Sequence, residues 1–98
     1  MKDQDGRLVI VDFYADWCGP CKMLSPILER ITSDTTYSNG KEVDLVTINA
    51  DEEPGLTEKF QVRGLPTVIA FRDGKPIEHF VGAAPANVVQ EWIKKLSA

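Results

Sequence analysis

Apolar and polar positions along the chain change period several times, and each change predicts an element. Residues 8 to 14, Leu-Val-Ile-Val-Asp-Phe-Tyr, form a β-branched and aromatic run without clean alternation, the pattern of a strand covered on both faces and so of a parallel-type position. Met23, Leu24, Ile27, Leu28 and Ile31 recur at helical spacing, which predicts a helix of about four turns beginning near Cys18, with Pro26 as a source of a kink. Residues 35 to 42 read as a polar loop and residues 43 to 48 as a second strand. Residues 51 to 55 break the chain, and Pro54 is placed to open a short helix running through Phe60.

Residues 67 to 71 form a third predicted strand. Arg72-Asp73-Gly74-Lys75 is a hairpin turn into a fourth at residues 77 to 81, with Asp-Gly supplying the positive φ that such turns favour. Val88, Val89, Trp92, Ile93 and Leu96 mark a closing amphipathic helix that places Trp92 in the core, with Pro85 set for its first turn. The order βαβα then ββα predicts an α/β fold, a mixed central sheet of about four strands with three to four helices on its two faces. No repeat or linker interrupts it, so residues 1–98 read as one domain.

Composition changes this picture little but excludes several functions. The formal net charge is -4 over 98 residues, whereas phosphate binding needs clustered Lys and Arg, which argues against nucleic acid. No apolar stretch approaches the roughly 20 residues of a membrane span, and Met1-Lys2-Asp3-Gln4-Asp5-Gly6 lacks the order of a signal peptide. Two cysteines and no Asn-x-Ser/Thr acceptor do not make a secreted disulfide scaffold. A reducing compartment fits better.

The two cysteines stand in Trp17-Cys18-Gly19-Pro20-Cys21-Lys22, at the predicted helix start. This spacing suits reversible disulfide chemistry, because a small ring holds the sulfurs adjacent. The unpaired N–H groups and positive dipole end of a helix N-terminus favour a thiolate at Cys18, the expected attacking sulfur. Cys21, one turn further in, is the expected resolving sulfur. Half of a structural zinc site is the competing reading, but beside the two Cys the chain offers a single His, His79, and four ligands are needed. Two inert buried cysteines are the other. Asp12 stands mid-strand among apolar neighbours, where burial raises a carboxyl's pKa.

Trp-Cys-Gly-Pro-Cys-Lys, preceded by Val11-Asp12-Phe13-Tyr14-Ala15 and followed by Arg63-Gly64-Leu65-Pro66-Thr67, Phe71-Arg72-Asp73-Gly74 and Val81-Gly82-Ala83, resembles the thioredoxin family across residues 8 to 96. The resemblance implies a thioredoxin fold and a protein-disulfide reductase working by dithiol/disulfide exchange. It implies an exposed indole at Trp17, a cis bond before Pro66 facing the disulfide, and a proton-transfer role for Asp12 toward Cys21. It further implies a flat, mostly apolar substrate surface from Trp17, Gly19, Pro20, Gly64, Leu65, Pro66, Gly82 and Ala83, where an extended substrate pairs with backbone near Leu65. Gly19-Pro20 places no donor over the thiolate, whereas a His there, as in disulfide isomerases, makes an oxidant; the pair therefore reads as a reductant.

By the same resemblance no cofactor or metal is bound. Electrons come from a thioredoxin reductase using NADPH or from a ferredoxin-linked one, and pass to disulfide-containing proteins. The expected location is cytoplasmic, or mitochondrial or plastid if a targeting segment was removed. Other readings are a binding or chaperone-like module with dispensable cysteines, and a disulfide isomerase or oxidase.

Two departures stand out. Many bacterial thioredoxins place a Lys opposite the buried Asp, where Thr47 aligns here. Family members also usually begin with a further strand and helix, which the residues before Leu8 are too few to form. The first family strand is therefore expected to be absent or truncated, leaving residues 43 to 48 as a sheet edge and the chain as a monomer or a weak dimer through that edge.

Overall fold

The computed structural model describes residues 6–98. Its elements follow in the order β1 (Leu8–Tyr14), α1 (Gly19–Thr32), a 3₁₀ turn (Thr35–Ser38), β2 (Val43–Asn49), α2 (Pro54–Lys59), β3 (Thr67–Arg72), β4 (Lys75–Val81) and α3 (Ala86–Leu96). They make one four-stranded sheet in the order β2-β1-β3-β4. β1 pairs parallel with β2, setting Asp12 against Thr47, and antiparallel with β3, setting Asp12 against Val68. Its apolar run thus marks a central strand covered on both faces, with one parallel and one antiparallel neighbour. The β3–β4 hairpin turns on Asp73 (φ 54°) and Gly74 (φ 77°), both left-handed as a tight hairpin of this twist requires.

The pleat divides β1 between two apolar layers. Leu8 and Ile10 face α1 and α3, packing with Leu24, Leu28, Ile31, Val89 and Ile93. Val9, Val11 and Phe13 face the other way, toward Ile69, Phe71, Leu56 of α2 and Phe60 at its C-cap. Phe60 sits 5.4 Å edge-on to Phe71 and 6.3 Å from Phe13, centroid to centroid. Asp12 shares the pleat phase of Leu8 and Ile10, which sends its side chain beneath α1.

Several local expectations shift. Met23 and Val88 belong to the apolar periodicities but are 70% and 51% exposed, because each lies just off the stripe that its helix turns inward. Trp92 is half-buried at the margin of the core, edge-on to Phe80 at 4.9 Å. The loop at residues 35 to 42 contains the 3₁₀ turn, capped by Asp34, whose Oδ1 accepts from Thr36 Oγ1 at 2.6 Å and from Thr36 N at 3.0 Å. Those two bonds hold the Asp34 carboxyl below its ordinary pKa. Pro26 does not end α1, which continues through it. β2 lies at a sheet edge, with Leu45 half-buried and Val46 exposed. Of the segment before β1, residues 1–5 lie outside the described residues.

Candidate functional site

The cysteine pair sits where β1 hands over to α1. A turn closed by Cys18 N on Ala15 O at 3.1 Å brings Cys18 to the N-cap position in extended conformation (φ -89°, ψ 107°). Pro20 follows inside the first turn, where its missing N–H has no intrahelical partner to lose. Cys18 and Cys21 are disulfide-bonded, their Cα atoms 5.3 Å apart. The Cys21 amide donates to Cys18 Sγ at 3.2 Å, so an N–H of the helix start is aimed at the sulfur that caps it. A negative charge at Cys18 is favoured there by this bond and by the helix dipole together. Both sulfurs are nearly covered, with Cys18 3% and Cys21 2% exposed, and Tyr14 and Leu65 pack against them.

Leu65 reaches the pair from the turn before β3. The Leu65–Pro66 bond is cis, as the resemblance implied, and Pro66 is buried. Gly82 N donates to Pro66 O at 2.8 Å, and Thr67 Oγ1 donates to Gly64 O at 2.6 Å, which tie the two loops together. Gly82 adopts φ +96°, a conformation that favours glycine. A Cβ on Gly64 would stand 3.4 Å from Val81 Cγ1, ordinary contact. Around this group Trp17 is 71% exposed, and Gly19, Pro20 and Ala83 are exposed as well.

Asp12 is fully buried. Ser25 Oγ donates to its Oδ2 at 2.8 Å, while Oδ1 has no hydrogen-bond partner among the described residues. Burial pushes this carboxyl above its ordinary pKa; the Ser25 bond pulls it back, and the negative charge of Glu29 pushes it further up. A cleft of about 300 Å³ opens beside it, lined in part by Cys21, Lys22, Ser25 and Glu29.

A scan against models of protein families matches the thioredoxin family over residues 2–95. This chain belongs to the thioredoxin family. It is 42% identical over 86 residues to a thioredoxin of Staphylococcus haemolyticus, spanning 88% of this chain and 79% of that protein, and 41% identical over the same shares to one of Staphylococcus aureus. Among solved structures, a mutant thioredoxin from Halobacterium salinarum superposes with TM-score 0.79 at 35% identity, covering 96% of this chain and 78% of that one. The Malassezia sympodialis thioredoxin gives 0.82 at 36%, covering 95% and 77%. The thioredoxin fold and the closely spaced cysteine pair make the chain a thiol:disulfide oxidoreductase, a protein-disulfide reductase. The described residues hold no group of three or more His, Cys, Asp or Glu that fits a metal ion.

Two further contacts were missed in the sequence. Asp51 belongs to an acidic run that suits a helix start, and it makes a second contact as well. Its Oδ2 accepts from Trp17 Nε1 at 2.8 Å, fixing the exposed indole beside the cysteines. The N-cap of α2 is Glu53, which makes no side-chain capping bond. Ser25 had a readable signal, since Cys21, Ser25 and Glu29 recur at i, i+4 and i+8, one stripe of α1.

Proposed function

We propose that Cys18 is the nucleophile of this thioredoxin and Cys21 its resolving thiol, with Asp12 taking the Cys21 proton. In the reduced chain the Cys18 thiolate attacks a substrate disulfide, forming a mixed disulfide and releasing one substrate thiolate. Cys21 gives its proton to the Asp12 carboxylate and attacks Cys18 Sγ, which closes the Cys18–Cys21 bond and expels the second substrate thiolate. Two electrons pass from the dithiol to the substrate. The observation that carries this assignment of roles is the Cys21 N–H held on Cys18 Sγ at the start of α1. Trp17, Gly19, Pro20, Gly64, Leu65, Pro66, Gly82 and Ala83 form the surface a substrate meets, low in side-chain bulk and so broad in the proteins it admits.

The oxidised pair is returned to the dithiol by a thioredoxin reductase, drawing on NADPH or on ferredoxin. Reduction of insulin coupled to NADPH oxidation by a flavin-containing thioredoxin reductase tests the first donor. Turnover there, and none with a ferredoxin-linked reductase, selects NADPH; the reverse selects ferredoxin. The reductant character of the Gly19-Pro20 pair and the two-cysteine composition support a reducing compartment, the cytoplasm or an organelle. Cell fractionation tests this, and recovery in a secreted or periplasmic fraction counts against it.

The β2 edge also supports weak self-pairing into a dimer. Among the described residues no strand pairs with its outer side, and Val46 is the exposed apolar residue at its middle. Sedimentation velocity across a hundredfold range of concentration is expected to show a rising dimer fraction that Val46→Lys abolishes. A monomer at every concentration would remove the proposal.

A further inference from the structure

Asp12 is fully buried, and among the described residues one polar side chain links it to a cleft. It does not line the cleft beside Cys21, but its sole hydrogen-bond partner among the described residues, Ser25, does. Ser25 is half-buried on α1, one turn after Cys21 and one turn before Glu29. The groups facing the carboxyl from the neighbouring elements are few. β2 brings Thr47 and β3 brings Val68 opposite Asp12, neither of them charged. α1 brings Ser25 and the carboxylate of Glu29, with Lys22 on the cleft wall and Asp16 contributed by the preceding turn. A carboxylate formed in this place has no cation opposite it in the sheet, and one oxygen without a donor.

We propose that Ser25 is the positioning residue for proton transfer at Asp12: its hydroxyl supplies the stabilisation that a neighbouring ammonium would otherwise give the carboxylate, and Glu29 on the same cleft opposes it. The inference rests on Asp12 being the acceptor of the Cys21 proton. A hydroxyl donating to Oδ2 strengthens when the oxygen is charged, because a charge-assisted hydrogen bond is stronger than a neutral one. Glu29 acts through space with the opposite sign, since a second negative charge favours the acid. The two side chains thus set from one wall of the cleft how readily Asp12 sheds the proton taken from Cys21. The directions of their effects on the Asp12 carboxyl agree with this geometry, Ser25 lowering and Glu29 raising its affinity for a proton.

The test uses the full reduced chain carrying Ser25→Ala, Ser25→Thr or Glu29→Gln. The Asp12 side-chain carboxyl is titrated by ¹³C NMR, and release of a pre-formed mixed disulfide is followed across pH by stopped flow. Ser25→Ala is expected to move the Asp12 titration to higher pH and to slow resolution at pH 7 by about three- to tenfold, with recovery in alkali. Glu29→Gln is expected to move the titration to lower pH, and Ser25→Thr, which keeps the hydroxyl, to stay near the native profile. Opposite shifts from two substitutions in one cleft are not produced by a general loss of packing. An unmoved titration in Ser25→Ala, with thermal stability retained, would overturn the inference alone. Unchanged resolution in Asp12→Asn would overturn the role assigned to Asp12, and the inference with it.

Discussion

Cys18→Ser and Cys21→Ser are each expected to reduce insulin more than about a thousandfold more slowly than the native chain, and only Cys21→Ser is expected to accumulate a covalent adduct with its substrate. The first half follows from the loss of either sulfur ending the exchange, so that the two losses are of similar size and do not add. The second half follows from where each sulfur stands. Cys18 caps the helix and receives the Cys21 amide, so without Cys21 a thiolate is still favoured at Cys18. It opens the substrate disulfide and then has no neighbour to release it. Without Cys18, Cys21 stands a turn into the helix, away from the N-cap position where Cys18 Sγ receives a backbone N–H, so its thiolate is not favoured in the same way and it is expected to form no adduct. Mass spectrometry before and after treatment with dithiothreitol reads the adduct. Adduct formation by Cys18→Ser and none by Cys21→Ser would reverse the roles. Partner capture that survives loss of both cysteines would instead favour a clamp.

The parts of this site that sequence made legible are those written in local spacing. The apolar run at residues 8 to 14 located β1, the Cys-x-x-Cys pair fell at a helix start, and Asp73-Gly74 announced the hairpin that sets β4 beside β3. What stayed hidden was written in distance or in competition between local rules. The bond from Trp17 to Asp51 spans 34 residues, and Asp51 stands in an acidic run before a proline, where the dipole argument gives a sufficient local reason for it. Ser25 stands beside the apolar stripe of α1, between Leu24 and Pro26, and a lone hydroxyl there gives no local sign that it reaches a strand beneath the helix. Periodicity also could not separate Met23 from Leu24, since adjacent helical residues differ by about 100° and the boundary of the buried arc is fixed only by what α1 packs against. The Thr47 position was readable only through the family resemblance, which aligns it with a Lys of many bacterial thioredoxins. Once β1 and β2 pair in parallel, Asp12 faces Thr47, and the missing cation becomes a statement about the site.

Asp12→Asn is expected to make the protein more stable and less active, and pH separates the two effects. A carboxyl whose pKa is raised in the native state holds its proton more tightly there than in the unfolded chain. Between the ordinary carboxylate range and the raised native value, the native state therefore binds more protons than the unfolded state, and stability falls as pH rises. Below that window both states are protonated and the group contributes nothing; above it the full penalty of a buried charge with one unpaired oxygen is felt. Asn carries no such titration. Its Tm advantage over the native chain should thus be small near pH 4 and grow to a plateau above the native titration. An unsatisfied buried acceptor costs about 1–3 kcal/mol, and each kcal/mol moves Tm by about 4–8 °C in a chain of this size, so a gain of about 4–24 °C is expected at pH 8. The activity runs the other way. Asn has no lone pair basic enough to take the Cys21 proton, so resolution of the mixed disulfide at pH 7 should slow by about tenfold or more and recover as hydroxide takes over in alkali. A Tm difference that does not change with pH would mean that Asp12 keeps an ordinary titration, and a rate that does not change would take it out of the proton transfer. A buried carboxyl that costs the fold stability has no structural reason to be there, which fits the proton-transfer role proposed for Asp12.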